Sequence, residues 1–364
     1  MPVRQTYRDK MPTELHYPWQ DTLPATGSRM LLRPGIHWVR MPLPFALNHI
    51  NLWMLTDQRE GQSGWCVVDA GVATEAIRQA WQTIWADDSA AAPLVRMVVT
   101  HMHPDHIGNA QWLIEQFSPA SHPARLHMSA TDHLAAQLSC RETTGYGGEH
   151  AVQFFASHGL QDLDSLEKIK QRNGYYASMV PSVPRVYARL MDGMSITIGQ
   201  REWRCLAGYG HSPEHISLFD ESDHTLISGD MLLPRISTNI SVINSEPEAD
   251  PLGLFLASLK RLTVLPADTL ILPSHGLPFV GLHARVDQLL AHHDARLEDI
   301  RLACLAAPHS AAELLSVLFN RPLDLHQTTF AMGEAIAHLN HLWLTGELNR
   351  DQGTDGVWRF RTQR

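Results

Sequence analysis

The chain has 364 residues, 44% hydrophobic and 18% charged, with 23 Gly and 22 Pro; this excludes a disordered tail, a collagen-like repeat and a charged coiled coil, and the length suits one large domain with a small one attached. A formal charge of -9, from 38 acidic against 29 basic residues, disfavours a binder of nucleic acid or anionic lipid. Histidine is the type in excess, with 22 residues, and such an excess asks for metal ligation or acid–base chemistry.

Residues 1 to about 30 are polar and read as an extended arm. From Met30 the pattern turns to β, with IHWVRMPLP, INLWMLTD and WCVVDAG; the short QREGQSG connection before the last run marks a hairpin. ATEAIRQAWQTIWAD predicts a helix with Ile77, Ala80, Trp81, Ile84 and Trp85 on one face. LVRMVVT (94–100) is a strand, followed by a helix carrying Ile107, Ala110, Leu113, Ile114 and Phe117, then a strand at ARLHMSA (124–130). The tryptophans at 53, 81, 85 and 112 fall at core-facing positions. Residues from about 134 to 190 are helical in pattern and hold four of the seven tyrosines, so they read as an insertion or lid. The β pattern returns in SITIG, REWRCLAG, HISLFD and HTLISGD, then come a helix over 252–264 and a strand at TLILPSHG. Strands alternating with helices predict a layered α/β fold.

Beyond Gly281 the texture changes. ARVDQLLAHHDARLEDIRLACLAA is a long helix, SAAELLSVLF starts with Ser310 and Glu313 spaced as a capping box, a third helix follows, and GVWRF closes as a strand. This is a winged-helix order, giving a division into 1–283 and 284–364. His292 and His293 read as a solvated helix face, and His338 with His341 as a packed or surface pair lacking an acidic neighbour. No run approaches the roughly 18 to 20 apolar residues of a membrane span. Cys66, Cys140, Cys205 and Cys304 are scattered, and the first residues carry no apolar leader, so a cytoplasmic protein with reduced thiols is expected.

The densest polar cluster is Thr100-His101-Met102-His103-Pro104-Asp105-His106. A His-x-His at a strand end sends two imidazoles to the same side, and the following turn presents Asp105 and His106 nearby. Nitrogen and carboxylate donors in this density suit zinc. HMHPDH resembles the His-x-His-x-Asp-His motif of the metallo-β-lactamase superfamily. VVDAG (67–71), GYGHSPEH (208–215), LISGDML (226–232) and LPSHG (272–276) resemble that superfamily's other four motifs, in order. The match covers roughly residues 30 to 283, and HSPEH with a histidine in the last motif looks most like the glyoxalase-II-like branch. Two departures stand out: a long stretch between His106 and His211, which the insertion fills, and Glu214 where many relatives carry Gly.

The resemblance implies a four-layer αββα sandwich and two adjacent metals, zinc first, with iron or manganese compatible. His101, His103 and His211 would hold one, Asp105, His106 and His275 the other; Asp230 would bridge them and Asp69 would buttress the site. Asp105 would also orient the attacking hydroxide and pass a proton. The implied activity is hydrolysis of a thioester, ester or lactone. Tyr146, Tyr175, Tyr176 and Arg235 are candidate substrate contacts. Three rivals remain. One is an endoribonuclease or phosphodiesterase with the same added domain, disfavoured because residues 308–364 hold five basic and six acidic residues, with no Lys or Arg between His326 and Glu347. The others are an iron-dependent persulfide dioxygenase, whose members are usually compact, and a non-catalytic binding module, which the complete ligand set disfavours. The expected partner is a small-molecule substrate, with no nucleic acid and no membrane, and a homodimer is compatible.

Overall fold

The computed structural model describes residues 15–45, 47–87, 92–143, 145, 147–319 and 323–363, with the backbone alone at 325 and 326. Two sheets form its centre. The first runs in chain order β1 (Arg29–Arg33), β2 (Ile36–Pro42), β3 (His49–Arg59), β4 (Gln62–Val68), β5 (Leu94–Val98), β6 (Arg125–Met128) and β7 (Tyr187–Arg189). It is antiparallel from β1 to β4 and parallel from β4 to β7. The second is β8 (Ser195–Ile198), β9 (Arg201–Gly208), β10 (His215–Asp220), β11 (Thr225–Gly229), β12 (Leu270–Pro273) and β13 (Phe279–Val280). The β3–β4 hairpin is closed by Glu60 and Gly61, at φ of 53° and 82°, the left-handed pair that a two-residue turn of this twist requires.

Alternation along the strands separates three apolar layers. On β3, Leu52 and Met54 face a core with Ile77, Trp81 and Leu113, whereas Trp53 and Leu55 face the second sheet with Trp203, Ile216 and Leu218. On the second sheet, Leu226 and Ile271 point outward into a third core, while Ile227 and Leu272 point into the space between the sheets. Helix α1 (Glu75–Ala86) covers the first sheet, burying Ile77, Ala80, Trp81 and Ile84. The expected helix from 107 divides into α2 (Pro104–Ile107) and α3 (Ala110–Phe117). The break arises at Gly108, where a Cβ would lie 2.8 Å from the Gly71 oxygen, and at Asn109, whose side chain donates to Val72 O.

The inserted segment contributes α4 (Ala130–Ser139), α5 (Gly148–Ser157), α6 (Leu163–Lys170) and α7 (Tyr175–Met179), and its end returns to the first sheet as β7. Helix α8 (Pro251–Leu262) covers the second sheet, followed by α9 (Leu282–Ala306), α10 (Ala311–Leu318), α11 (Leu325–Leu344) and a hairpin of β14 (Leu348–Gln352) and β15 (Trp358–Thr362). The Ser310–Glu313 capping box is formed. One continuous core joins Phe155 and Ile169 of the insertion, Leu252 and Phe255 of α8, and Ile300, Leu314, Ile336 and Phe360 of the C-terminal segment.

Two histidine readings are corrected here. His293 is fully buried rather than solvated, because α9 is packed against α8, α10 and α11; its Nδ1 lies 3.2 Å from His338 Nε2. His341 has an acidic neighbour after all, Asp250 at 3.0 Å, delivered by α8 from 91 residues away in sequence.

Candidate metal centre

The site lies where five strand ends and their loops meet at one edge of the sandwich. Just after β4, Asp69 takes φ +62°, a left-handed conformation that aspartate tolerates better than most residues. Its buried carboxylate accepts from Thr100 N–H at 2.8 Å, from the Thr100 hydroxyl and from His106 Nδ1 at 2.8 Å. Thr100 through Asp105 follow β5, His211 follows β9, Asp230 follows β11 and His275 follows β12.

All seven sequence-assigned ligands come together. His101 Nε2, His103 Nδ1 and His211 Nε2 form a triangle with sides of 2.9, 3.0 and 3.1 Å. Asp105 Oδ2 lies 3.7 Å from His106 Nε2 and 3.4 Å from His275 Nε2. Asp230 stands between the two groups: one oxygen is 3.3 Å from His211 Nε2, the other 3.6 Å from His106 Nε2 and 3.5 Å from His275 Nε2.

The far nitrogens decide what the near ones are. His211 Nδ1 donates to Asn239 O at 2.8 Å, His275 Nδ1 to His49 O at 2.8 Å, and His106 Nδ1 to Asp69. With Nδ1 committed to these acceptors, the imidazoles turn Nε2 into the basin, where a metal ion would take the place of any second proton. His106 Nε2 and Asp230 Oδ1 are buried with no hydrogen-bond partner. Lone pairs and carboxylates converging this closely need cations between them. Tetrahedral ligands at 2.0–2.1 Å from zinc sit roughly 3.3 Å apart, close to the spacing of the imidazole triangle. The donor set therefore fits divalent metal.

Among the protein's own groups, the basin's carboxylates draw protons onto the imidazoles facing them. Burial and the neighbouring imidazoles hold His101 well below the usual range, and burial with His211 takes His103 down to about 3. Burial also opposes charge on His106 and His275, but Asp69, Asp105 and Asp230 outweigh it, raising His106 and taking His275 up to about 10. Asp105 falls to about 2 against its own burial, because His106 and His275 face it. The carboxylates are thus charged across the neutral range and draw positive charge into the basin.

The expected substrate contacts have separate fates. Tyr146 lies outside the described residues. Tyr175 is half-exposed with the Arg172 guanidinium over its ring. Tyr176 donates its hydroxyl to Met102 O, beside the ligands. Arg235 is exposed, 5.9 Å from the Tyr17 ring centroid. Sequence reasoning missed His215, which is buried, accepts from Asp230 N–H at 3.1 Å and lies over His101. It also missed Asn51, whose amide donates to Pro273 O and Gly276 O on either side of His275. A polar residue inside the apolar run INLWML was the available signal for Asn51.

Residues 49–275 match the family model described as Metallo-beta-lactamase superfamily, and residues 297–363 one described as Metallo-beta-lactamase-like, C-terminal domain. A crystal structure of a beta-lactamase domain protein from Burkholderia ambifaria superposes with a TM-score of 0.90 at 50% identity, covering 96% of this chain and 98% of that one. A probable metallo-hydrolase, YqjP of Bacillus subtilis, is 26% identical over 84% of this chain and 91% of its own length. The acyl-coenzyme A thioesterase MBLAC2 of Gallus gallus is 27% identical over 55% of this chain and 64% of its own.

Proposed function

This chain belongs to the metallo-β-lactamase superfamily and is a metallo-hydrolase by its relatives; from that premise we propose that it uses two zinc ions to hydrolyse a small-molecule thioester or ester, a lactone being the cyclic form of the same substrate class. The observation that carries the proposal is the set of imidazole nitrogens and carboxylate oxygens converging in two adjoining groups around Asp230. Two ions held there supply a hydroxide nucleophile at neutral pH and polarise a carbonyl oxygen. His101, His103 and His211 would hold one ion and Asp105, His106 and His275 the other, with Asp230 within reach of both groups.

The protein's own groups do the rest. Asp69 orients the His106 ring, Asn239 O that of His211, and His49 O that of His275, so these three imidazoles are set before substrate arrives. Asp105, anionic and facing the basin, orients the nucleophile and carries a proton to the leaving group. The thioesterase relative supports the choice of acyl chemistry.

The C-terminal hairpin supports a small-molecule substrate over a polynucleotide. Its described arginines are engaged: Arg350 lies between the Trp343 and Trp358 rings at 3.7 and 4.4 Å, Arg359 pairs with Asp355 and Arg361 with Asp351. Free thiols at all four cysteines support a reducing, cytoplasmic setting.

The test is turnover of the zinc-loaded protein on an acyl-CoA, an aryl ester, a lactone, an activated phosphodiester and RNA. The reading predicts carbonyl substrates alone, led by the thioester. Phosphodiester or RNA cleavage without ester turnover overturns it, as does oxygen consumption on a persulfide by iron-loaded protein.

A further inference from the structure

Met102 separates the first two histidines, and its own peptide groups are gripped from two directions. Asp132, a fully buried residue in the first turn of α4, accepts Met102 N–H on Oδ1 at 2.8 Å. Its other oxygen accepts Glu214 N–H at 2.6 Å, three residues after His211. The Met102 carbonyl accepts the hydroxyl of Tyr176, on α7 of the insertion. Helix α7 is itself tied down where Ala73 N–H donates to Met179 O at 3.2 Å, close to Asp69 along the chain.

No cationic side chain touches the Asp132 carboxylate among the described residues. Burial pushes its pKa up to about 6, with the two amide donors pulling the other way. A carboxylate kept at that cost does something an apolar residue cannot: it accepts from two loops at once. Both loops carry ligands of the same metal position.

Resting on the metal-centre reading, we propose that Asp132 and Tyr176 are positioning residues of that centre: they hold the Met102 peptide by its N–H and its C=O, and so tie the His101–His103 pair to the His211 loop and to the inserted helices. The insertion then serves the chemistry through one hydroxyl as well as by covering surface. The second metal position, held by Asp105, His106 and His275, receives neither of these bonds directly.

The test is cobalt uptake by metal-free protein, followed by its visible absorption, in backgrounds that isolate each position. His275→Ala leaves the first position to be titrated, and His103→Ala the second. Adding Tyr176→Phe should weaken cobalt binding about tenfold to a hundredfold in the first background. In the second background it should change affinity less than threefold, with thermal melting unaltered. Asp132→Asn should act on the same position at least as strongly; if it fails to fold, Tyr176→Phe decides alone. Equal weakening in both backgrounds, or none in either, overturns the proposal. Wild-type protein that takes up no cobalt sinks the metal-centre reading and the clamp with it.

Discussion

Asp69 is the residue whose chemistry the fold exploits most densely. Its left-handed backbone turns the carboxylate back onto Thr100 and His106, so the charge fixes a loop and a tautomer together. Asp69→Asn keeps the volume but sets an amide N–H against one of those donors. Metal affinity should fall about tenfold to a hundredfold, while the far-UV spectrum stays unchanged; an affinity equal to wild type would contradict this assignment. The convergence of the seven candidate ligands was legible because metal chemistry restricts residue type and spacing, as in HMHPDH. His215 and Asp132 were not, since a single buried polar residue has no pattern, and Asn51 offered only its place inside an apolar run. Their importance comes from partners 15, 30 and 222 residues away.

At the scale of elements, strands and helix starts were readable from alternation, periodicity and the Ser310 capping box. What failed was the face of α9. A helix covered by α8, α10 and α11 buries more than one stripe, so His293 looked solvated in a sequence that reads as amphipathic. Helix α11 presses on the loop beyond Asp230: a Cβ on Gly333 would lie 2.7 Å from Ser241, and Asn239 of the same loop holds His211. The next residue, Glu334, has its carboxyl pushed by burial from 4.5 up to about 7, with Arg296 opposing. Between those values the unfolded chain is ionised while the folded one still holds the proton. This group's contribution to stability is therefore complete below pH 4.5 and lost as the pH rises through about 7. Glu334→Gln removes that slope: its melting temperature relative to wild type should rise from pH 4 to pH 8. A difference independent of pH would show that the carboxyl is not buried as described.

The whole molecule is held by a core that ignores the sequence division near residue 283. Ala312 N–H donates to His158 O, Arg172 to the Thr329 hydroxyl, and Arg285 to Leu233 O and Ile236 O just past Asp230. Insertion and C-terminal helices thus support each other and the metal edge. A chain ending at Gly281 exposes Phe255, Leu259 and Phe279 and should aggregate on expression; a soluble, metal-binding fragment would contradict the shared core. The order of motifs made the sandwich legible, whereas the docking of the added segments was not, because contacts between distant segments leave no local period. The proposed chemistry requires two metal ions at that edge. Elemental analysis of the purified full-length protein, beside His103→Ala and Asp230→Ala, tests it most directly. Two zinc per chain are expected in wild type, with a loss of metal together with ester turnover in both variants. A wild-type protein that takes up one ion or none from excess zinc, or variants that keep both, would contradict it.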